Sequence, residues 1–235
     1  MESAVCFSGR RVVGFRTLAG FMQVQTIDRP SLKNSWAYQS RVPITAIVLI
    51  GTWAYVAVSP AWIPKDSALD WAIEIAAWTV FLGGSLMRIW ATLWIAGRKK
   101  QNLVDDGPYR MCRNPLYIGT FAMGLGLVLF LKSLVFAVGV AAVLFLYQRF
   151  VVPAEENYMR SRFAEAYDDY CALVPRWLPK LSRLRRDEVF RHVTDRQAVY
   201  RECLRMACWM LLPILAEFTC HVRGTADWNF LQGPP

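Results

Sequence analysis

Histidine is nearly missing from this chain: two in 235 residues, at 192 and 221. The six cysteines stand at 6, 112, 171, 203, 208 and 220, with no CxxC pair among them. A zinc site needs nitrogen and sulfur ligands at short spacing, and this pattern offers none. A disulfide framework does not suit so large and apolar a chain, so the cysteines read as buried free thiols. Charge is scarce too, at 19% of residues against about 25% in an ordinary soluble domain. No internal repeat, low-complexity tract or GxGxxG fingerprint after a strand is present. These absences exclude disorder, collagen-like architecture and a nucleic-acid-binding arm.

What the chain has in excess is apolar mass, 55% of residues, with 10 tryptophans. It is gathered into runs long enough to cross a bilayer. Residues 43–59 carry no charge and would span about 26 Å as a helix. Pro43 is expected to open this run and the Ser59-Pro60 pair to end it. Residues 69–96 form a second run, interrupted by Asp70 and Glu74 near one end, where water is in reach, and by Arg88 deeper inside. A charge at that depth needs a partner or a wet cavity. Runs over 115–131 and 133–152 are separated only by Lys132, which predicts a tight antiparallel hairpin. Gly119, Gly124, Gly126 and Gly139 suit close helix packing. A fifth run over 204–220 contains Pro213 and Glu217 and reads either as a tilted span or as an interfacial helix.

The expected fold is therefore an all-α integral-membrane bundle of about five transmembrane helices with a cytoplasmic amphipathic helix. Three parts follow: an N-terminal cytoplasmic segment over 1–42, a membrane core over 43–180, and a helical tail over 181–235. The first 35 residues are compatible with a surface-lying amphipathic helix or an irregular tail. The net charge of +9 is placed asymmetrically. Basic residues crowd the N-terminal segment, the 97–114 loop and the 153–203 segment, whereas Lys65 and Lys132 alone serve the opposite side. The positive-inside rule puts the first three on the cytoplasmic face, against anionic lipid rather than nucleic acid.

Two cytoplasmic strips hold the unusual polar residues. The first reads GRKKQNLVDDGPYRMCRNPLYIG over 97–119. Gly107-Pro108 marks a turn, and Pro115 suits the first position of a helix. A turn feeding a helix start offers free N–H groups which, with Arg110 and Arg113, can hold an anion or simply anchor the loop to headgroups. The second strip places Glu155 and Glu156 after Pro153, then Phe163, Tyr167 and Tyr170 on one helix face, and closes on VPRWLP over 174–179. An aromatic stripe of that kind is ordinarily packing. Adjacent carboxylates at a membrane border are costly unless paired or wet.

Taken together, the two strips resemble the isoprenylcysteine carboxyl methyltransferase family, part of a wider group of membrane methyltransferases that includes phospholipid N-methyltransferases. The likeness covers about residues 80–180. It implies S-adenosylmethionine as methyl donor, bound on the cytoplasmic side between the strips. Under it Gln101, Asn102, Leu103 and Val104 match the stretch lining the cofactor site, and Tyr109 matches its tyrosine. Asn114, Pro115, Leu116 and Tyr117 stand in the His-Pro-x-Tyr motif, and Glu155 stands at the cofactor-contacting glutamate. Asn114 and Gln101 replace histidines, keeping hydrogen bonding but not titration. An arginine that some carboxyl-methylating members carry four residues before the glutamate is Val151 here.

The chemistry of these residues agrees with that implication. Glu155 can pair with an ammonium or ribose hydroxyls, and Arg110 or Arg113 with a carboxylate. Tyr109 and Tyr117 can face a sulfonium. An ionised carboxylate acceptor needs no base, whereas an amine or thiol must lose a proton, and Glu156 is the candidate catalytic base. The acceptor is expected to be lipophilic or small, and membrane lipid the partner. A related membrane reductase and a non-catalytic scaffold are the competing readings.

Overall fold

The computed structural model describes residues 6–7, 10–16, 22–26, 36–59, 63, 67–96, 103–184 and 196–225. Three short strands precede the helices: β1 (Cys6–Phe7), β2 (Arg10–Arg16) and β3 (Met22–Thr26). They form an antiparallel meander in which Val12 faces Thr26 and Arg16 faces Met22. Neither expectation for the first 35 residues anticipated this sheet. Its signal is the two-residue alternation of Met22-Gln23-Val24-Gln25, backed by the β-branched pair Val12-Val13.

The regular elements described after it are all helical. Helix α1 covers Trp36–Ala57 and α2 covers Ala68–Ile95. The short α3 covers Pro108–Met111 and α4 Pro115–Leu131. Helix α5 (Leu134–Leu146) runs through a π-turn at Tyr147–Val151 into α6 (Val152–Phe163), followed by α7 (Glu165–Leu173). The tail forms α8 (Arg196–Trp209) and α9 (Leu211–Thr225). Among the described residues, four stretches are long and apolar enough to cross a membrane: Gln39–Ala57, Ala68–Ile95, Leu134–Phe163 and Arg196–Arg223. Pro115–Leu131 is a shorter apolar helix. The protein is an integral-membrane helical bundle, as expected.

Proline positions explain where the helices depart from the sequence reading. Pro43 does not open α1 but lies inside it, so two more turns extend below the apolar run and carry Arg41. Pro153 does not end the fourth span either. A proline there deprives the carbonyl of Arg149 of its helical donor. The chain widens into the π-turn just upstream, where the Val152 N–H donates to the Tyr147 carbonyl five residues back, and the helix continues. In the tail, Pro213 has the same effect on the carbonyl of Trp209, and the chain breaks at Met210 between α8 and α9.

The core lies between α1, α2, α4, α5 and the tail helices. Val56, Phe81, Met123, Phe130, Leu131, Phe136, Met206 and Ala216 are buried together there. The fifth run thus packs into the core and lies within a stretch long and apolar enough to cross a membrane. Its α9 inserts Cys220 against the Phe130 carbonyl and lets the Trp53 indole donate to Thr219 at 3.2 Å. The outward faces expose Ile47, Ile50, Ile75, Leu86, Val138, Phe145, Ile214 and Phe218, which is the composition lipid requires. Helices α2 and α4 cross closely at glycines: a Cβ on Gly84 would lie 2.6 Å from the Gly119 carbonyl oxygen. Gly84 belongs to the same close-packing device as Gly119 and Gly126.

Two ends result. At one, α1, α4 and α6 bring the two polar strips together. At the other, Lys132 pairs with both Asp70 and Glu74, so these acids are neutralised by the hairpin tip rather than by water. Arg223 donates there to the carbonyls of Ser59 and Leu131 at 2.9 and 3.1 Å.

Candidate active site

The first strip folds back from α2 at Gly107, whose φ of 54° is a left-handed value open chiefly to glycine. Pro108 then starts α3, and Pro115 starts α4 with Asn114 just before it. The second strip leaves α7 at Val174 because Pro175 and Pro179 permit no further turn. Hydrogen bonds join the two. The Tyr170 hydroxyl donates to the Tyr109 carbonyl at 2.6 Å, and the Arg113 N–H to the Pro175 carbonyl at 2.9 Å. Asn114 Nδ2 donates to the Arg176 carbonyl at 3.3 Å, and the Lys180 N–H to the Met111 carbonyl at 3.1 Å. Asn114 thereby uses an amide donor for a purely structural bond that needs no titration.

Glu155 and Tyr117 meet at Arg41. The Arg41 guanidinium donates to Glu155 Oε1 at 3.0 Å and to the Tyr117 hydroxyl at 3.4 Å. The Glu155 side chain keeps 29% of its exposure, so its second oxygen can take a further partner. Tyr117 stands in an aromatic wall with Phe121 and Tyr147, at ring separations of 6.1 and 5.5 Å. Trp177 extends that wall, 5.4 Å from Phe121.

Glu156 faces the other way and is buried. Arg176 grips both its oxygens, and Arg113 reaches it at 3.3 Å. Both oxygens of this carboxylate are therefore already engaged by guanidiniums. It ties the first strip to the second through Arg113 and Arg176.

The remaining predicted residues separate into groups. Val104 is buried with Ala91, Trp94 and Tyr109, and Leu116 packs on that cluster. Leu103 packs against Tyr167, Tyr170 and Val174, which confirms the aromatic stripe as packing. Pro115 is fully buried at the helix start. Arg110 and Arg113 do not converge on one anion: Arg113 is taken by Glu156 and by Cys171 Sγ at 3.0 Å. Arg110 instead lines a cleft of about 720 Å³, with Leu103 and Asp105 facing Asp169, Tyr170 and Arg183. Gln101 and Asn102 lie outside the described residues.

Among the described residues, the buried polar atoms without a protein partner are the Tyr109 hydroxyl, Arg113 Nε and Trp177 Nε1. All three belong to the paired strips. Burial raises the ionisation of Tyr109 well above the usual phenol range, with Cys112 next in effect, so it is a neutral donor. Cys112 is likewise pushed up to about 11 by burial, which makes it an inert thiol.

Sequence reasoning missed Arg41, Tyr147, Arg176 and Trp177. Arg41 was visible only as one positive charge among several flanking a span. Arg176 and Trp177 sit inside the quoted VPRWLP segment without a motif role.

A family model described as phospholipid methyltransferase matches residues 72–166, from α2 to the start of α7. The nickel-cobalt-cadmium resistance protein NccN of Alcaligenes xylosoxydans xylosoxydans is 36% identical over 188 residues, covering 76% of this chain and 85% of that protein. The cobalt-zinc-cadmium resistance protein CzcN of Cupriavidus metallidurans is 33% identical over 131 residues, 54% of this chain and 60% of its own. A protein-S-isoprenylcysteine O-methyltransferase of Schizosaccharomyces pombe is 33% identical over 81 residues, 34% of each chain. No solved structure matches. The chain belongs to the isoprenylcysteine/phospholipid methyltransferase family of membrane proteins.

Proposed function

We propose that the protein is a membrane methyltransferase that uses S-adenosylmethionine to methylate a lipophilic or small acceptor. The observation that carries this reading is the meeting of Tyr117 and Glu155, one from each strip, at a carboxylate left partly open.

The residues present fit the donor's functional groups. Glu155 offers an anion to the ammonium. The unpartnered donors on Tyr109, Arg113 and Trp177 offer hydrogen bonds to carboxylate, ribose or adenine acceptors. Their lack of partners is costly in a ligand-free protein, at roughly 1–3 kcal/mol each, and a polar ligand would remove that cost. Bound there, S-adenosylmethionine supplies an electrophilic methyl group on a sulfonium.

The chain's own residues then do the work of alignment. Tyr117, Phe121 and Tyr147 present ring faces and edges that attract a positive centre and exclude water. Arg176, Arg113 and Glu156 keep the two strips in register, so that Glu155 and Tyr117 hold one distance. Glu156 is assigned this anchoring role in place of the catalytic-base role, and an acceptor that ionises without help fits the site best. The positive-inside pattern of the basic loops supports a cytoplasmic site end, open to a water-soluble donor, with the acceptor approaching through lipid.

Calorimetry on the detergent-solubilised protein tests the reading. Saturable S-adenosylmethionine binding is expected, and a parent protein that does not bind it would refute the assignment. The acceptor is sought by incubating membrane extracts with methyl-labelled donor and reading products by mass spectrometry. Two relatives carry metal-resistance names, so extracts from cells grown with and without nickel, cobalt or cadmium are the informative pair.

A further inference from the structure

The tail helix α8 lies outside the 72–166 family match, yet it supplies the partner of Arg88 within α2. Glu202, buried on α8, accepts from Arg88 Nε at 3.0 Å and from Nη2 at 2.8 Å. Arg205 pairs with the second Glu202 oxygen. With two of its nitrogens so held, the Arg88 guanidinium turns its third toward α4. Nη1 donates to Thr120 Oγ1 and, at 3.4 Å, to the Leu116 carbonyl. The Thr120 hydroxyl in turn donates a hydrogen bond to the same carbonyl at 2.9 Å. Leu116 and Thr120 bracket Tyr117 on the first turns of α4. The guanidinium also lies 5.2 Å from the Trp209 ring at the end of α8.

The path is built for this contact. A Cβ on Gly119 would lie 2.6 Å from Arg88 Cγ, so only glycine lets the arginine stem pass along α4. The carbonyl of Leu116 lies in the first turn of α4, next to Tyr117, and accepts from both Arg88 and Thr120.

We propose that Glu202 is a positioning residue of the methyl-transfer site, acting through Arg88 and Thr120 to fix the turn of α4 that presents Tyr117 to Glu155. The tail is then part of the site's machinery and not an appendage to it. This inference rests on the methyltransferase reading for its consequence, but its geometry can be read without any ligand.

The test compares three proteins carrying 3-fluorotyrosine at position 117: the parent, Arg88→Met/Glu202→Met, and Thr120→Val. The double substitution removes both buried charges together, which is often neutral or stabilising, and Thr120→Val cuts the relay while leaving the ion pair in place. In both variants the fluorine resonance is expected to shift or broaden while the melting temperature stays near the parent's. S-adenosylmethionine affinity, measured by calorimetry, is expected to fall about tenfold. An unchanged resonance in folded Thr120→Val protein would overturn the proposal, as would parent-like affinity in both variants. If the double variant fails to fold, Thr120→Val alone decides. A shifted resonance in variants of a parent that binds no S-adenosylmethionine would support the positioning and overturn the methyltransferase reading instead.

Discussion

The two ends of the bundle treat buried charge in opposite ways. At the far end Lys132 closes on Asp70 and Glu74, and Arg223 fills the open carbonyls of α1 and α4. At the site end Glu155 is shared between Arg41 and open space, and the Tyr109 hydroxyl, Arg113 Nε and Trp177 Nε1 are buried with no partner. One end is a self-contained lock. The other retains polar capacity that folding alone does not use, which is the physical mark of a ligand site.

Substitutions at the two ends should therefore separate stability from binding. The largest effect is expected from Lys132→Met, which leaves the buried Asp70 without its cation and should cost about 3–5 kcal/mol. Unfolding in detergent would show it, while the fraction still folded should bind S-adenosylmethionine as the parent does. Next comes Glu155→Ala, which should weaken that binding by about 1.5–3 kcal/mol, tenfold or more, with little change in melting. Equal losses of stability and affinity in both variants would erase the distinction between the ends. Tyr109→Phe sharpens it further: deleting an unpartnered buried hydroxyl should stabilise the ligand-free protein by about 1 kcal/mol yet reduce affinity. A variant that loses stability would mean the hydroxyl is satisfied in the folded protein.

Smaller effects concern the joint between α6 and α7. Ala164 there has a φ of 46°, costly for a residue with a Cβ, so Ala164→Gly should raise stability by about 1 kcal/mol. An unchanged or lower melting temperature would show that the joint is not strained. The mildest test is chemical. Because burial holds Cys112 as a thiol until about pH 11, maleimide labelling of that residue should stay slow at pH 7–9 in folded protein and become fast on unfolding. Rapid labelling of the native protein would place Cys112 outside the packed strip.

Much of the fold was legible because lipid imposes a simple rule: all five apolar runs became helical, those over 69–96 and 115–131 within a residue of their predicted bounds and the other three running past theirs. The errors came from proline, whose local effect depends on what lies upstream. Pro153 stops a helix in isolation, but a π-turn over Tyr147–Val151 absorbed it. The N-terminal meander was missed because the weakly apolar stretch around Arg16 was weighed for helical and signal character, not for two-residue alternation. At the site, the polar residues gathered within each strip were readable, and Tyr117 and Glu155 do come together, at Arg41. Pairings across more than a hundred residues were not readable. That Arg88 needed a partner followed from its depth, but nothing local distinguished Glu202 from other acids as that partner. Arg41 was hidden for the same reason: a guanidinium flanking a span looks alike whether it meets phosphate or Glu155.

The central claim is that two strips far apart in sequence enclose one donor molecule. Ultraviolet cross-linking of radiolabelled S-adenosylmethionine to the full-length protein, followed by peptide mapping, tests it directly. The account predicts label on peptides from both 103–117 and 155–177, competed away by S-adenosylhomocysteine. Label confined to one strip, or label that the competitor does not displace, would contradict it.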